Sequence, residues 1–236
     1  MFFLCALLTE VSSAWADPNP TQHKTQAILF LERRNYEKSS ILLNHLMLEH
    51  NGTAEAVEAK ILMADLFFQK QEWPTARIYY QQFLRDHPSH PEAPRALYRV
   101  GETHNKDAPK DPGRDQRATE AAIRVWKQFL IKYSQSPYRT EVEAKIAEGK
   151  ERLAQKELDV AIFYSKKEKW EAVRRRSQFL MNSYPNSTLF SEALFLNTLA
   201  HVFLGQMDRA NLQRETLLEL SPQWAAQLET RIQKGK

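Results

Sequence analysis

Residues 73–88, WPTARIYYQQFLRDHP, carry a helical cassette that recurs four more times, and this recurrence restricts the fold more than any other feature. Pro74 suits a first helical turn, where its missing N–H would have no partner in any case. Ala76, Tyr79, Tyr80, Phe83 and Leu84 fall at helical spacing on one face and leave Arg77, Gln81, Gln82 and Arg85 on the other. Pro88 then ends the helix, because the residue before a proline is driven out of the helical region.

Aligned on helix start and stop, the copies run Tyr36/Asn51, Trp73/Pro88, Thr119/Ser134, Trp170/Pro185 and Met207/Pro222. Twelve residues before each stop stands a small or slender residue: Ser39, Ala76, Ala122, Val173 or Ala210. Five and four residues before it stands a bulky couple: Leu46-Met47, Phe83-Leu84, Phe129-Leu130, Leu180-Met181 or Leu217-Leu218. Packed helices need this combination, a small side chain where backbones approach and a large pair where the core is filled. A second helical stretch precedes each cassette, as in residues 54–70 and 191–205. Repeats somewhat longer than 34 residues, each a helix–turn–helix pair, are the mark of tetratricopeptide arrays. The expected fold is therefore an all-α, tetratricopeptide-type α-solenoid of five repeats. Only six glycines in 236 residues, and few alternating valine runs, argue against a sheet.

Two places break the period. Residues 105–117, NKDAPKDPGRDQR, combine Pro109, Pro112 and Gly113 with basic residues and predict a loop inserted within the third repeat. Residues 139 to about 164 lack proline and set Glu141 with Lys145 and Glu148 with Arg152 at i,i+4 spacing. They predict one overlong helix joining repeats three and four, with Val142, Ile146, Leu153, Val160 and Phe163 on one face. Trp224, Leu228 and Ile232 give the last stretch the face of a capping helix.

Residues 1–16, MFFLCALLTEVSSAWA, read as a targeting segment: the apolar run is too short to span a bilayer, and Ala14-Trp15-Ala16 has the A-x-A form of a cleavage site. Residues 17–236 then form a single repeat domain: N-terminal repeats at about 21–138, the long helix at about 139–165, and C-terminal repeats at about 166–236. Cys5 is the one cysteine, so a mature chain starting at Asp17 has no thiol. With 42% apolar and 26% charged residues the chain can bury a core. A net charge of +4 with interspersed signs does not give the clustered basic footprint of a nucleic-acid binder.

Catalytic signatures are missing: there is no H-E-x-x-H, phosphate-binding glycine loop, G-x-S-x-G or Cys-x-x-Cys. No enzyme activity, metal or cofactor is expected. His87 and His90 flank prolines at an inter-repeat turn, where helix-stop roles account for them, and His201 lies on an apolar helical face. The sequons at Asn51 and Asn186 fall at repeat turns, which favour such residues structurally. Trp73 and Trp170 have the size of peptide-stacking platforms, but their repeat position assigns them to the core. Burial there contributes on the order of 2 kcal/mol or more each. Arg174, Arg175 and Arg176 cannot all share one helical face, so a partner contact competes with a solvated basic surface as their role.

These residues resemble the BamD outer-membrane protein assembly factors over residues 21–218. RDQRAT (114–119) looks like that family's insertion in the third repeat, and ERLAQKELDVAIFYSKKEKWEAVRRR (151–176) like its long helix and fourth repeat. FLMNSYPNS (179–187) is similar to its repeat ending. The resemblance implies a non-enzymatic periplasmic scaffold on the inner face of the outer membrane. Its implied partners are the POTRA domains of a BamA-like barrel-inserting subunit, other assembly-complex lipoproteins and nascent outer-membrane proteins. By the same resemblance Arg176 stands where the family's arginine contacts the last POTRA domain, beside Arg174 and Arg175. Tyr36, Phe67, Phe68, Trp73 and Tyr80 would line the groove for a substrate's C-terminal signal. Cys5 follows Phe2-Phe3-Leu4, which departs from the family's lipobox L-[AS]-[GA] and leaves lipid attachment open. A periplasmic adaptor of a Tol–Pal or other envelope complex is the alternative.

Overall fold

In a computed structural model, residues 19–234 are described; the targeting segment and Cys5 lie outside them. Eleven helices occur among the described residues: α1 (Pro20–Glu32), α2 (Tyr36–Glu49), α3 (Ala54–Gln69), α4 (Trp73–Asp86), α5 (Ala93–Asp107), α6 (Arg117–Lys132), α7 (Arg139–Lys166), α8 (Trp170–Ser183), α9 (Phe190–Phe203), α10 (Met207–Leu220) and α11 (Pro222–Lys234). No strand occurs among the described residues. The fold is all-α and of the tetratricopeptide type, and the described residues fall in two compact units, 19–103 and 104–234.

The five cassettes are α2, α4, α6, α8 and α10. The small residue of each one (Ser39, Ala76, Ala122, Val173, Ala210) is completely buried, as is the first member of each bulky couple (Leu46, Phe83, Phe129, Leu180, Leu217). The helices also stop alike. The N–H of His50, His87, Tyr133, Tyr184 or Ser221 donates to the carbonyl of that buried core residue, four positions back. The same side chain thus fills the core and marks the last helical turn.

The turn within a pair repeats too. Arg34, Gln71, Glu168 and Gly205, each two residues before a cassette, take left-handed φ of 56°, 63°, 55° and 72°. Each turn closes by a long backbone bond: Asn35 to Phe30, Glu72 to Phe67, Lys169 to Tyr164 and Gln206 to His201, at 2.8–3.0 Å. This pattern satisfies carbonyls that the end of an α-helix leaves open.

In the first unit α1 packs on α2, α2 on α3 and α3 on α4, and α1 also meets α3. Ala27, Leu31, Leu43, Leu46, Ala59, Met63 and Leu66 form its core. In the second unit the chain of neighbours runs from α6 to α11, with α7 also meeting α9 and α9 meeting α11. Its core gathers Leu158, Val173, Leu180, Leu194, Leu196, Leu199, Leu217 and Leu228 among others. Contacts between next-but-one helices arise because a pair that cannot cover its own apolar face leans on the following pair.

Several sequence expectations need correction. Helix α5 runs on to Asp107, so the insertion is the shorter segment 108–116, and α6 begins at Arg117. Asp115 explains that start, since its carboxylate accepts from the Arg117 N–H at 3.0 Å. On α7 Phe163 is 53% exposed; the buried stripe instead runs Val142, Ile146, Gly149, Leu153, Ala154, Leu158, Ala161 and Ser165. Apart from the adjacent pair Leu153-Ala154 the stripe follows steps of three and four, and Phe163 falls outside it. Leu218, the second of the last bulky couple, is 60% exposed, since α11 covers Leu217 and leaves Leu218 beside Pro222 and Ala225 at a shallow surface dip. The capping face is as expected: Leu228 is buried and Trp224 packs against Phe195 with ring centroids 5.0 Å apart.

Candidate functional site

In the second unit the arginine triplet lies on α8 and divides its contacts between two helices. Arg174 donates to Glu171 through Nε at 3.0 Å and Nη2 at 2.7 Å, and Arg175 Nε reaches the same carboxylate at 3.1 Å. Arg174, then Arg175, hold the Glu171 carboxyl down at about 2, well below the usual carboxylate range. Arg176 instead spans to α7, where its Nη1 meets Glu157 Oε2 at 3.0 Å. Glu157 is largely covered, while Arg176 keeps about half of its side chain in solvent. A largely covered carboxylate with a guanidinium across its open side orients a charge without consuming all five of its donors.

The backbone beneath these arginines is pinned by a polar network that periodicity does not reveal. Asn197 on α9 is completely buried; its Nδ2 donates to the Arg174 carbonyl at 2.9 Å and to Ser177 Oγ at 2.8 Å. Gln213 on α10 donates to Asn197 Oδ1 at 2.8 Å, and Thr198 Oγ1 donates to Gln213 Oε1 at 3.2 Å. Three helices are thereby keyed together directly under the triplet. Trp170, at the start of α8, is half-buried and stacks on Phe203 at 4.3 Å with an interplanar angle of 11°. His201 is a core residue whose Nδ1 lies 2.6 Å from Gln206 Oε1.

The insertion of the third repeat is ordered by Gln116, which is completely buried. Its amide donates to the carbonyls of Pro109 (3.2 Å) and Asp111 (2.8 Å), and its Oε1 accepts from Thr119 Oγ1 at 2.6 Å. One side chain thus satisfies two loop carbonyls and leaves the exposed Arg117 beside Asp115, whose carboxyl it lowers.

In the first unit, Phe68 and Trp73 form an aromatic wall where α3 meets α4, with Tyr80 behind them, while Phe67 pairs with Tyr79. Phe68 meets Trp73 edge-on at 5.0 Å and Tyr80 at 6.5 Å, and Phe67 stacks on Tyr79 at 5.1 Å. The Arg99 guanidinium sits 4.6 Å over the Phe68 ring. Tyr36 packs at the edge of the neighbouring core, with Phe67 and Tyr79. Tyr80 does not line a surface: it is completely buried and its hydroxyl donates to Asp65. Burial first, and then the Asp65 charge, push that hydroxyl far above the usual phenol range. Asp65 also accepts from Arg95 at 2.9 and 3.0 Å. Tyr80 therefore supports the wall from behind, while Phe67, Phe68 and Trp73 remain partly open.

His87 and His90 both serve their turn: Lys60 Nζ lies 3.2 Å from His87 Nε2, and His90 Nδ1 accepts from the Glu92 N–H at 3.2 Å. Burial, then Lys60, lower the His87 pKa. A different histidine group emerges instead. His23 on α1, His45 on α2 and His50 at the end of α2 come together, although 22 residues separate the first two. No standard ligand spacing marks them in the sequence.

An outer membrane lipoprotein family, YfiO, matches residues 17–217. A Vibrio cholerae protein described as outer membrane protein assembly factor BamD is 26% identical over 178 residues, covering 72% of this chain and 73% of that protein. Its Neisseria meningitidis serogroup A counterpart is 26% identical over 196 residues, covering 79% and 73%. Among solved structures, the TPR2AB-domain:pHSP90 complex of yeast Sti1 is similar at a TM-score of 0.51 and 13% identity, over 91% of this chain and 84% of that one. At that identity the likeness shows the fold alone.

Proposed function

We propose that this chain, which belongs to the YfiO family of outer membrane lipoproteins, is a non-catalytic scaffold that binds the barrel-inserting subunit and nascent chains during outer-membrane protein assembly. The family match over residues 17–217 carries this reading, because it spans both compact units. Among the described residues no helix is long and apolar enough to cross a membrane. This fits a protein held peripherally at the periplasmic face of the outer membrane.

Arg176 is the anchor for the periplasmic POTRA part of a BamA-like subunit. It is half exposed, oriented by Glu157, and mounted on a backbone fixed by Asn197. Arginine in such a setting gives both charge and directional donors, the usual profile of an interface anchor. Arg174 and Arg175, both tied to Glu171, form the rim beside it. The partly open rings of Phe67, Phe68 and Trp73, with Tyr36 nearby, offer an apolar wall for nascent chains. Other lipoproteins of the same complex complete the set of partners.

Arg176→Glu reverses the anchor's charge and sets it against Glu157. Copurification with the BamA-like subunit from solubilised envelopes should fall at least about tenfold, while far-UV circular dichroism stays unchanged. Undiminished copurification would remove Arg176 from the interface. Native-envelope crosslinking that returned Tol–Pal proteins and no barrel machinery would overturn the assembly role itself.

A further inference from the structure

We infer that His23, His45 and His50 form a binding site for a divalent transition-metal ion of the zinc class, built into the first helical pair. One ring nitrogen from each histidine lies within 4.8 Å of those of the other two. Ring centroids are 4.7 Å apart for His23 and His45, 5.6 Å for His45 and His50, and 6.2 Å for His23 and His50. The planes are mutually inclined by 74°, 51° and 56°, so the rings do not stack as a packed aromatic column would. With one nitrogen of each ring this near the other two, the group can offer three donors to a single ion.

Ligand chemistry narrows the ion. The donors are three neutral-nitrogen ligands with no carboxylate in the group. Hard Mg²⁺ and Ca²⁺ require oxygen-rich shells and are disfavoured here. Imidazole suits Zn²⁺ and its neighbours Co²⁺, Ni²⁺ and Cu²⁺. Zinc–nitrogen bonds of about 2.0–2.1 Å in a tetrahedron place nitrogens about 3.4 Å apart. Closing the present group to that spacing takes ring shifts of about 1 Å, within the reach of small χ rotations.

The scaffold is suited to such closure. His23 is only 6% exposed, and His45 and His50 are half-buried, so the group has a covered floor and one open side. Helices α1 and α2 are joined below it by Ser39 Oγ donating to the Ala27 carbonyl at 2.9 Å. His50 is the C-cap of α2, with φ −114° and ψ 30°, and can adjust without disturbing a helix. Three protein ligands and an open fourth position describe a site that keeps a water or accepts a group from a partner. A bound ion would clasp α1, α2 and the turn into α3, and so stabilise the first repeat by mass action.

The test uses the untagged chain after chelator dialysis, titrated with Zn²⁺ in a calorimeter and with Co²⁺ in the visible spectrum. One ion per chain should bind at micromolar or tighter Kd, and Co²⁺ should give the intense d–d bands of a low-coordinate nitrogen site. His45→Ala and His50→Ala should each weaken binding at least about tenfold; a His87→Ala, His90→Ala double variant should leave it unchanged. In the unaltered chain, Zn²⁺ should shift the ring-nitrogen NMR signals of these three histidines, a readout independent of how any variant folds. Failure to bind one equivalent at micromolar Zn²⁺, or binding that survives loss of both His45 and His50, would overturn the site. So would ring shifts confined to other histidines.

Discussion

Gln71 and Glu168 show how single residues carry the cost of a repeated turn. Both sit in left-handed backbone, at φ 63° and 55°, at the turn position where Gly205 stands in the last pair. A side chain there crowds its own carbonyl, which glycine avoids. Gln71 is exposed, so removing its side chain forfeits little packing. Gln71→Gly should therefore raise stability by about 0.5–1 kcal/mol, read as a higher urea midpoint at unchanged slope; a lower midpoint would refute strain at this turn. Glu171 illustrates an electrostatic effect of the same locality. Its folded-state carboxyl lies at about 2, below its ordinary value, so it contributes stability that is present above the usual carboxylate range and is lost as pH falls toward about 2. The group is solvent-exposed and screened, so the readout is its own titration. In carbon-detected NMR Glu171 should titrate near pH 2, and replacing Arg174 and Arg175 by Gln should return it toward the ordinary range. A midpoint unmoved by those changes would exclude the arginines as the cause.

Helix α7 is where packing decides what periodicity leaves open. Proline-free sequence and i,i+4 charge spacing predict a long helix, and it runs Arg139–Lys166. Which of its residues face inward depends on neighbours contributed by three other helices, α6, α8 and α9. Sequence spacing assigns Phe163 to the inner face, yet the small residues Gly149, Ala154 and Ala161 take the close approaches. Gly149 leaves little room: a β-carbon there would stand 3.1 Å from two side-chain carbons of Ile123 on α6. Gly149→Leu should cost about 1–3 kcal/mol by overpacking, with hydrogen exchange speeding up along the α6–α7 contact. Unchanged thermal stability would mean that Ile123 moves aside freely. The Asn197 network belongs to the same scale. Nothing in the spacing of Ser177, Asn197 and Gln213 shows that they meet, since α8, α9 and α10 must first be folded beside one another.

Each compact unit has its own apolar cluster, one around Leu43, Leu46 and Leu66 and one around Leu158, Leu180 and Leu199. Repeat proteins distribute stability among neighbouring pairs. Phe83→Ala, which empties a completely buried position in the first unit, should cost about 3–5 kcal/mol. Amide protection should fall more over residues 19–103 than over 104–234; an equal loss in both would indicate a single cooperative core. The helical class, the five cassettes, their small and bulky core positions and their stops are all legible in the amino-acid order. These follow from local rules of helical spacing and proline geometry that act within about 15 residues. The resemblance to the assembly-factor family, which the YfiO match bears out, is legible there too. Helix packing, by contrast, sets Tyr80 behind the aromatic wall, turns Arg176 to Glu157 and lets Gln116 hold the insertion. It likewise brings His23 to His45 and His50. Those pairings join residues far apart in the chain, and their distances are set by how helices stack, which no short-range spacing encodes.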